Sequence, residues 1–139
     1  MLSGDDLPTA AELAALYGSV GWSSYTGNLG ALEAGIRNSL RVVTARVDGH
    51  LVGLARVVGD GATIVYLQDV LVDPECQRHG VGRQLVQAVF EPFQHVRQHV
   101  LLTDDEPGQR AFYESLGFTE IRDVEPGTLR AFVRFRQEG

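Results

Sequence analysis

The spacing of apolar residues changes character along the chain, and each change predicts an element. Leu13, Leu16, Tyr17 and Val20 recur at helical spacing, and Thr9 with Glu12 three residues later has the form of a capping box, so a first short helix is predicted there. Residues 22–28 are polar and carry two aromatic side chains, which reads as a loop. Asn28 is placed to cap a second helix with Leu29, Leu32 and Ile36 on one face. From Arg41 the pattern becomes that of strands: residues 41–47 and 51–58 are β-rich runs on either side of Asp48-Gly49, a hairpin signal. Gly59-Asp60-Gly61 then turns the chain into a third run over residues 62–72. That run is apolar almost throughout, as in a central strand covered on both faces, yet Gln68 and Asp69 sit in its middle and require partners or a purpose.

Residues 73–83 form a glycine-bearing loop that leads into an amphipathic helix carrying Val81, Leu85, Val89 and Phe93, with Val86 and Phe90 beside them, until Pro92 ends or kinks it. A short strand over 100–103 and a helix over 109–116, closed by Gly117, come next. Two final strands are predicted over 118–123 and 129–135; in the last, Leu129, Ala131, Val133 and Phe135 alternate with Arg130, Phe132 and Arg134.

A chain of 139 residues, 44% hydrophobic, fits one domain over residues 1–139. No apolar run is long enough to span a bilayer, and the first residues lack the basic-then-apolar layout of a signal peptide, so a cytoplasmic protein without a membrane partner is expected. Cys76 is the only cysteine, and the four histidines are scattered, so neither a disulfide nor a metal site is expected. The net charge is −6 and all 12 basic residues are arginine. Such a balance argues against a nucleic-acid partner, whose phosphates need a basic footprint, and favours encounter with a cationic partner such as an amine.

Gly80 and Gly82 lie where a strand has ended and a helix begins, so their amides can face outward as an anion site, with Arg78, His79 and Arg83 adding positive charge. A plain glycine turn is the structural alternative. A P-loop would need Gly-Lys-Ser/Thr, and the chain has no lysine. A dinucleotide fingerprint would need a third glycine where Leu85 stands and a βαβ crossover in place of hairpins, although Asp104 lies near the spacing of a ribose-binding acid.

Gln77-Arg-His-Gly-Val-Gly82 has the form Gln/Arg-x-x-Gly-x-Gly/Ala and directly follows Val70-Leu-Val-Asp-Pro74. It resembles the acetyl-CoA pyrophosphate loop of the GNAT acetyltransferases. With the preceding meander, the following helix and strand, and the late Ala111-Phe-Tyr-Glu-Ser-Leu-Gly-Phe118, the resemblance covers residues 41–123. It implies an α+β chain with the GNAT acyl-CoA N-acyltransferase fold, a mixed, mostly antiparallel sheet of about six to seven strands flanked by about four helices. The implied activity is direct transfer of an acetyl group from acetyl-CoA to a primary amine in a ternary complex. The acceptor would be a small molecule or a protein or peptide amine. A non-catalytic acyl-CoA-binding regulatory module on the same fold is the alternative.

Residue by residue, the resemblance implies that the pantetheine arm lies against Val70, Leu71 and Val72, where the central strand splays from its neighbour. Amides of Arg78, His79, Gly80, Val81, Gly82 and Arg83 would cradle the pyrophosphate, with Gln77 at the entrance. Tyr113 matches the tyrosine that protonates the departing thiolate: a phenol of pKa about 10 can hold a proton at neutral pH and give it to a thiol of about 8.5. A plain core aromatic is its bland reading. Gln68 and Asp69 are candidates for the acceptor side; neighbours on a strand face opposite ways, so only one aims at substrate unless a bulge intervenes. Family matching favours Gln68, with Tyr66 on that face, whereas Asp69 is chemically the better base or else a local cap. Asp104 or Asp105 would cap the next helix, Trp22 and Tyr25 would wall the acceptor pocket, and Cys76, with no histidine partner in view, is given no covalent role. Glu106 departs from the pattern, standing seven residues before Tyr113 where many relatives have a cofactor-contacting asparagine. The last strand is placed to pair across a homodimer, although its arginines guard that edge.

Overall fold

Asp48 and Gly49 both adopt positive φ, 51° and 81°, which is the backbone that a two-residue hairpin turn needs and that Asp-Gly supplies at least cost. They join β2 (Arg41–Val47) to β3 (His50–Gly59), and β4 (Ile64–Val72) completes the meander. A short β1 (Leu2–Ser3), not foreseen from its two residues, pairs with Thr44 and Ala45 at the outer side of β2. β5 (Gln98–Leu101) lies parallel to β4 at the other side, so the order is β1-β2-β3-β4-β5. The computed structural model describes residues 1–127 and 129–136; Thr128 and residues 137–139, inside the expected domain, lie outside it. Two units are distinguished, Met1–Leu102 and Thr103–Gly139.

In the first unit the sheet is covered on both faces. Helices α1 (Ala10–Ser19) and α3 (Leu29–Arg37) set Leu13, Leu16, Tyr17, Leu32 and Ile36 against Val42, Leu54 and Leu71. Full burial of each such aliphatic side chain is worth about 1.5–3 kcal/mol. Gly53, next to Leu54 and hence facing the other way, meets α4 (Val81–Phe90); a Cβ there would lie 2.9 Å from Leu85 Cδ1, so glycine lets the helix pack this close without a shift of that side chain. The capping box closes both ways, Thr9 accepting from the Glu12 amide and Glu12 from the Thr9 amide, and Asn28 caps α3 through the Ala31 amide. Within the predicted loop, residues Ser23–Thr26 make one turn, α2. α4 stops at Phe90, and Pro92 sits in a 3-10 turn, Glu91–Phe93.

The second unit contains α5 (Pro107–Ser115), started by proline at its first position and followed by Gly117 at φ 94°. Here the strand count needs correcting: among the described residues the sheet has five strands, not six to seven, and neither 118–123 nor 129–136 joins it. Arg110 on α5 binds Glu120 and, at 2.7 Å, Asp123, while Ile121–Asp123 form a 3-10 turn; these contacts fold that segment back on its own helix. Residues 129–136 keep their alternation without a ladder, because alternation fixes which side chains share a face and not which strand pairs with them.

Candidate functional site

The first component is a gap beside β4. β3 pairs with β4 from Val65 to Val72, whereas β5 meets only Ile64 to Leu67. Past the Leu67–Leu101 pair, the β5 side of residues 68–72 has no ladder partner among the described residues, and Val70, Leu71 and Val72 occupy that stretch. Backbone groups on that side call for a partner of their own. One is already satisfied, since Gln77 Nε2 donates to the Val72 carbonyl at 3.0 Å and so ties the loop to the strand end.

The second component is the loop itself. Asp73 starts a 3-10 turn over Pro74–Cys76 by accepting from the Glu75 amide at 2.9 Å. Arg78 and Gly80 then take left-handed φ values of 75° and 76° around His79, a conformation that costs a non-glycine residue roughly 1–2 kcal/mol. Alternation of this kind turns successive N–H groups into a shared concavity. Gly80 is the residue before α4 and offers no side-chain cap; a Cβ built on it would meet nothing within 4 Å. The first hydrogen bond of the helix joins the Gln84 amide to the Gly80 carbonyl at 3.1 Å, so the amides of Val81 and Gly82 lie ahead of the intrahelical ladder. Glycine at 80 keeps a side chain off this end of α4, beside the exposed Arg78, and the N-terminal end of a helix favours an anion.

The third component is a polar cluster on the α1–α3 face. The β3–β4 register slips between the pairs Arg56–Asp69 and Val57–Leu67, which leaves Gln68 as an extra residue, a β-bulge. Adjacent residues therefore converge: the Tyr25 hydroxyl donates to Asp69 Oδ1 at 3.0 Å and accepts from Gln68 Nε2 at 3.1 Å. Asp69 Oδ2 takes the Tyr17 hydroxyl at 3.0 Å and Arg56 Nε at 2.6 Å. Asp69 and Arg56 are buried, 3% and 6% exposed, while Gln68 is exposed. The guanidinium also has room because Gly35 is opposite; a Cβ there would sit 3.2 Å from Nη1. Burial, and then the Asp69 charge, pushes the Tyr17 phenol far above its ordinary pKa. Burial likewise raises Tyr25, against the opposing Gln68 hydrogen bond, and raises Tyr66, with Tyr25 and Asp69 adding. Trp22 packs against Tyr17 and Tyr25, with ring centroids 5.8 and 6.1 Å away.

Tyr17 and Arg56 are the residues that sequence reasoning missed. The apolar periodicity of the first helix hides Tyr17, and the β-rich run over 51–58 hides Arg56. The signal was available in Asp69, since a carboxylate in the middle of an apolar strand needs a cation, and Arg56 is its partner across the ladder.

In the second unit Tyr113 is half-buried, with the Phe112 and Phe118 rings at 5.0 and 6.0 Å. Burial raises its pKa, and the Asp104 charge adds to this, so the phenol holds its proton at neutral pH. Asp104 accepts from the Glu106 amide at 3.1 Å, and Glu106 precedes α5 without making a side-chain cap. Cys76 is a partly exposed free thiol at the end of the 3-10 turn in the first unit. No His, Cys, Asp and Glu grouping among the described residues could hold a metal ion, and no helix is long and apolar enough to cross a membrane.

Residues 38–120 match the family model for the acetyltransferase (GNAT) domain. The GNAT-family acetyltransferase SP0256 of Streptococcus pneumoniae TIGR4 aligns with a TM-score of 0.81 at 30% identity, over 96% of this chain and 97% of that one. Serotonin N-acetyltransferase 2, chloroplastic, of Oryza sativa subsp. japonica is 33% identical over 92 residues, which are 65% of this chain and 44% of the rice protein. AAC(6')-Iy, solved with the bisubstrate analog CoA-S-monomethyl-acetylneamine, aligns with a TM-score of 0.72 over 99% of this chain and 97% of its own; at 19% identity the likeness is one of fold. The chain spans less than half the length of the first curated relatives it matches.

Proposed function

The chain belongs to the GNAT acetyltransferase family, and on that premise we propose that it transfers the acetyl group of acetyl-CoA to a primary amine by direct attack in a ternary complex, residues 1–139 acting as one domain. The observation that carries the reading is the unpaired side of β4 followed, through the loop of residues 73–80, by a helix N-terminus whose N-cap is glycine with open space at its Cβ position. Acetyl-CoA supplies an activated thioester carbonyl. Val70, Leu71 and Val72 hold its amide-bearing arm as a further strand would be held, and the amides of residues 78–83 take its diphosphate. CoA complexes of the related fold support this donor.

Gln68 and Tyr66 face the acceptor, and Asp69 acts on it through Tyr25, since the carboxylate itself already receives three donors. In the transfer the amine nitrogen forms the new C–N bond, the C–S bond breaks, the amine loses one proton to solvent, and Tyr113 gives its proton to the departing sulfur and regains one from water. Tyr113 remaining protonated at neutral pH supports that role. We further assign a homodimer joined through residues 129–136, whose large apolar side chains are exposed.

Calorimetric titration with acetyl-CoA, with NADH as control, followed by a CoA-release assay on a panel of amines, tests the reading. Binding of acetyl-CoA that Gly80→Glu abolishes, with release on at least one primary amine, is the expected result. No acetyl-CoA binding would refute it, and binding without release on any amine would replace it with a non-catalytic acyl-CoA-binding module.

A further inference from the structure

We propose that residues 129–136 of one copy of the chain dock into an acid-rimmed groove of a second copy, formed by α1, the β2–β3 hairpin and the 3-10 turn of residues 74–76; this rests on the homodimer assigned above and names the surface that receives the segment.

Two features that the acyl-transfer site does not use complement each other. The first is the groove, of about 470 Å³. Ala15, Val47, Leu51 and Val52 give it apolar walls, and Glu12, Asp48, Asp73 and Glu75 bring four carboxylates. His50 and Cys76 complete the lining, which holds no arginine. Glu12 is already answered by Arg46, and Asp73 accepts from the Glu75 amide. The side chains of Asp48 and Glu75 are exposed and make no hydrogen bond or ion pair among the described residues. Ala15 and Val47 are exposed as well, so open apolar surface lies beside uncompensated negative charge.

The second feature is the segment itself. Leu129, Phe132, Val133 and Phe135 are exposed, and Arg130, Arg134 and Arg136 form no ion pair among the described residues. Its eight residues carry three positive charges and no negative one, in a chain whose net charge is −6. A second copy is therefore repelled by the groove over most of its surface and attracted through this stretch. Apolar side chains gain by leaving water against the groove walls, and arginine stems are long enough to lie along those walls while their heads reach the carboxylates. In a two-fold dimer the contact is made twice, groove to segment and segment to groove.

Charge exchange on the full chain tests the contact. Ala15→Arg with Glu75→Arg makes the groove basic, and Arg130→Glu with Arg134→Glu makes the segment acidic; all four positions are exposed. In sedimentation velocity each double variant alone should dimerise at least about tenfold more weakly than the wild type, since like charges now meet. An equimolar mixture of the two should recover the dimer, because the basic groove then meets the acidic segment and the acidic groove meets the basic one. Cys76, the only cysteine of the chain, lines the groove, so its rate of reaction with N-ethylmaleimide should fall as the wild type is concentrated through its dimerisation range. That readout needs no variant, and circular dichroism checks the fold of those used. A dimer indifferent to the groove substitutions, a mixture that stays monomeric, or a dimer in which Cys76 reacts as fast as in the monomer would overturn the docking and leave the homodimer standing. A wild type that stays monomeric would defeat both.

Discussion

Tyr113 and Asp69 show how surroundings change residues of ordinary chemistry. Desolvation raises the Tyr113 phenol still further above neutral pH; on the role proposed for it as the acid, Tyr113→Phe lowers the rate of CoA release by about 10²-fold or more while leaving acetyl-CoA affinity within error. Steady-state kinetics beside calorimetry would check this, and an unchanged rate would return Tyr113 to the status of a packing residue. Asp69 is held differently. Asp69→Ala would leave the Arg56 guanidinium buried without its counter-charge and strand the Tyr17 hydroxyl, a loss of about 3–5 kcal/mol in urea unfolding. The sequence showed that Gln68 and Asp69 mattered, since a strand otherwise apolar has no reason to hold them. It did not show that they meet at one phenol, because that depends on a bulge, and a bulge is a property of two strands in register and not of one strand's pattern.

Elements whose ends carry their own chemistry were legible from local sequence. The capping box, Asn28, Asp48-Gly49, Pro92 and Gly117 each satisfy or interrupt backbone bonding by themselves, and the structure places an element boundary at every one. The two-residue β1 has no such signal and is held by what it meets: Met1 donates to the Arg46 carbonyl, and Arg46 reaches back to Asp6 and Glu12. That link gives a pH dependence. The Arg46 hydrogen bond, with the Thr9 amide next, lowers Glu12 from its ordinary value to about 2. A group depressed on folding contributes fully above its unfolded pKa and loses that contribution as pH falls through the folded one, so the loss runs from about pH 4.5 down to about 2. Arg46→Ala should flatten the thermal-stability profile across that window. Both carboxylates are partly open to water, so the effect should also shrink at high salt.

At the scale of the whole molecule, the first 102 residues were readable because their strands are joined by short hairpins that dictate their neighbours, and the late segment was not. Alternation over 129–135 predicts a strand, yet which edge receives such a segment is a tertiary matter that no local pattern encodes. What it leaves exposed is informative: Leu129, Phe132, Val133 and Phe135 are 53%, 88%, 60% and 77% open to solvent. The homodimer proposed above would cover these side chains with a second copy of the chain. Sedimentation velocity should therefore find a dimer, and Val133→Glu with Phe135→Glu should convert it to a monomer whose circular dichroism is unchanged. A monomeric wild type at concentrations of tens of micromolar would remove the dimer from the account, and a dimer that survives both substitutions would place the interface on another surface.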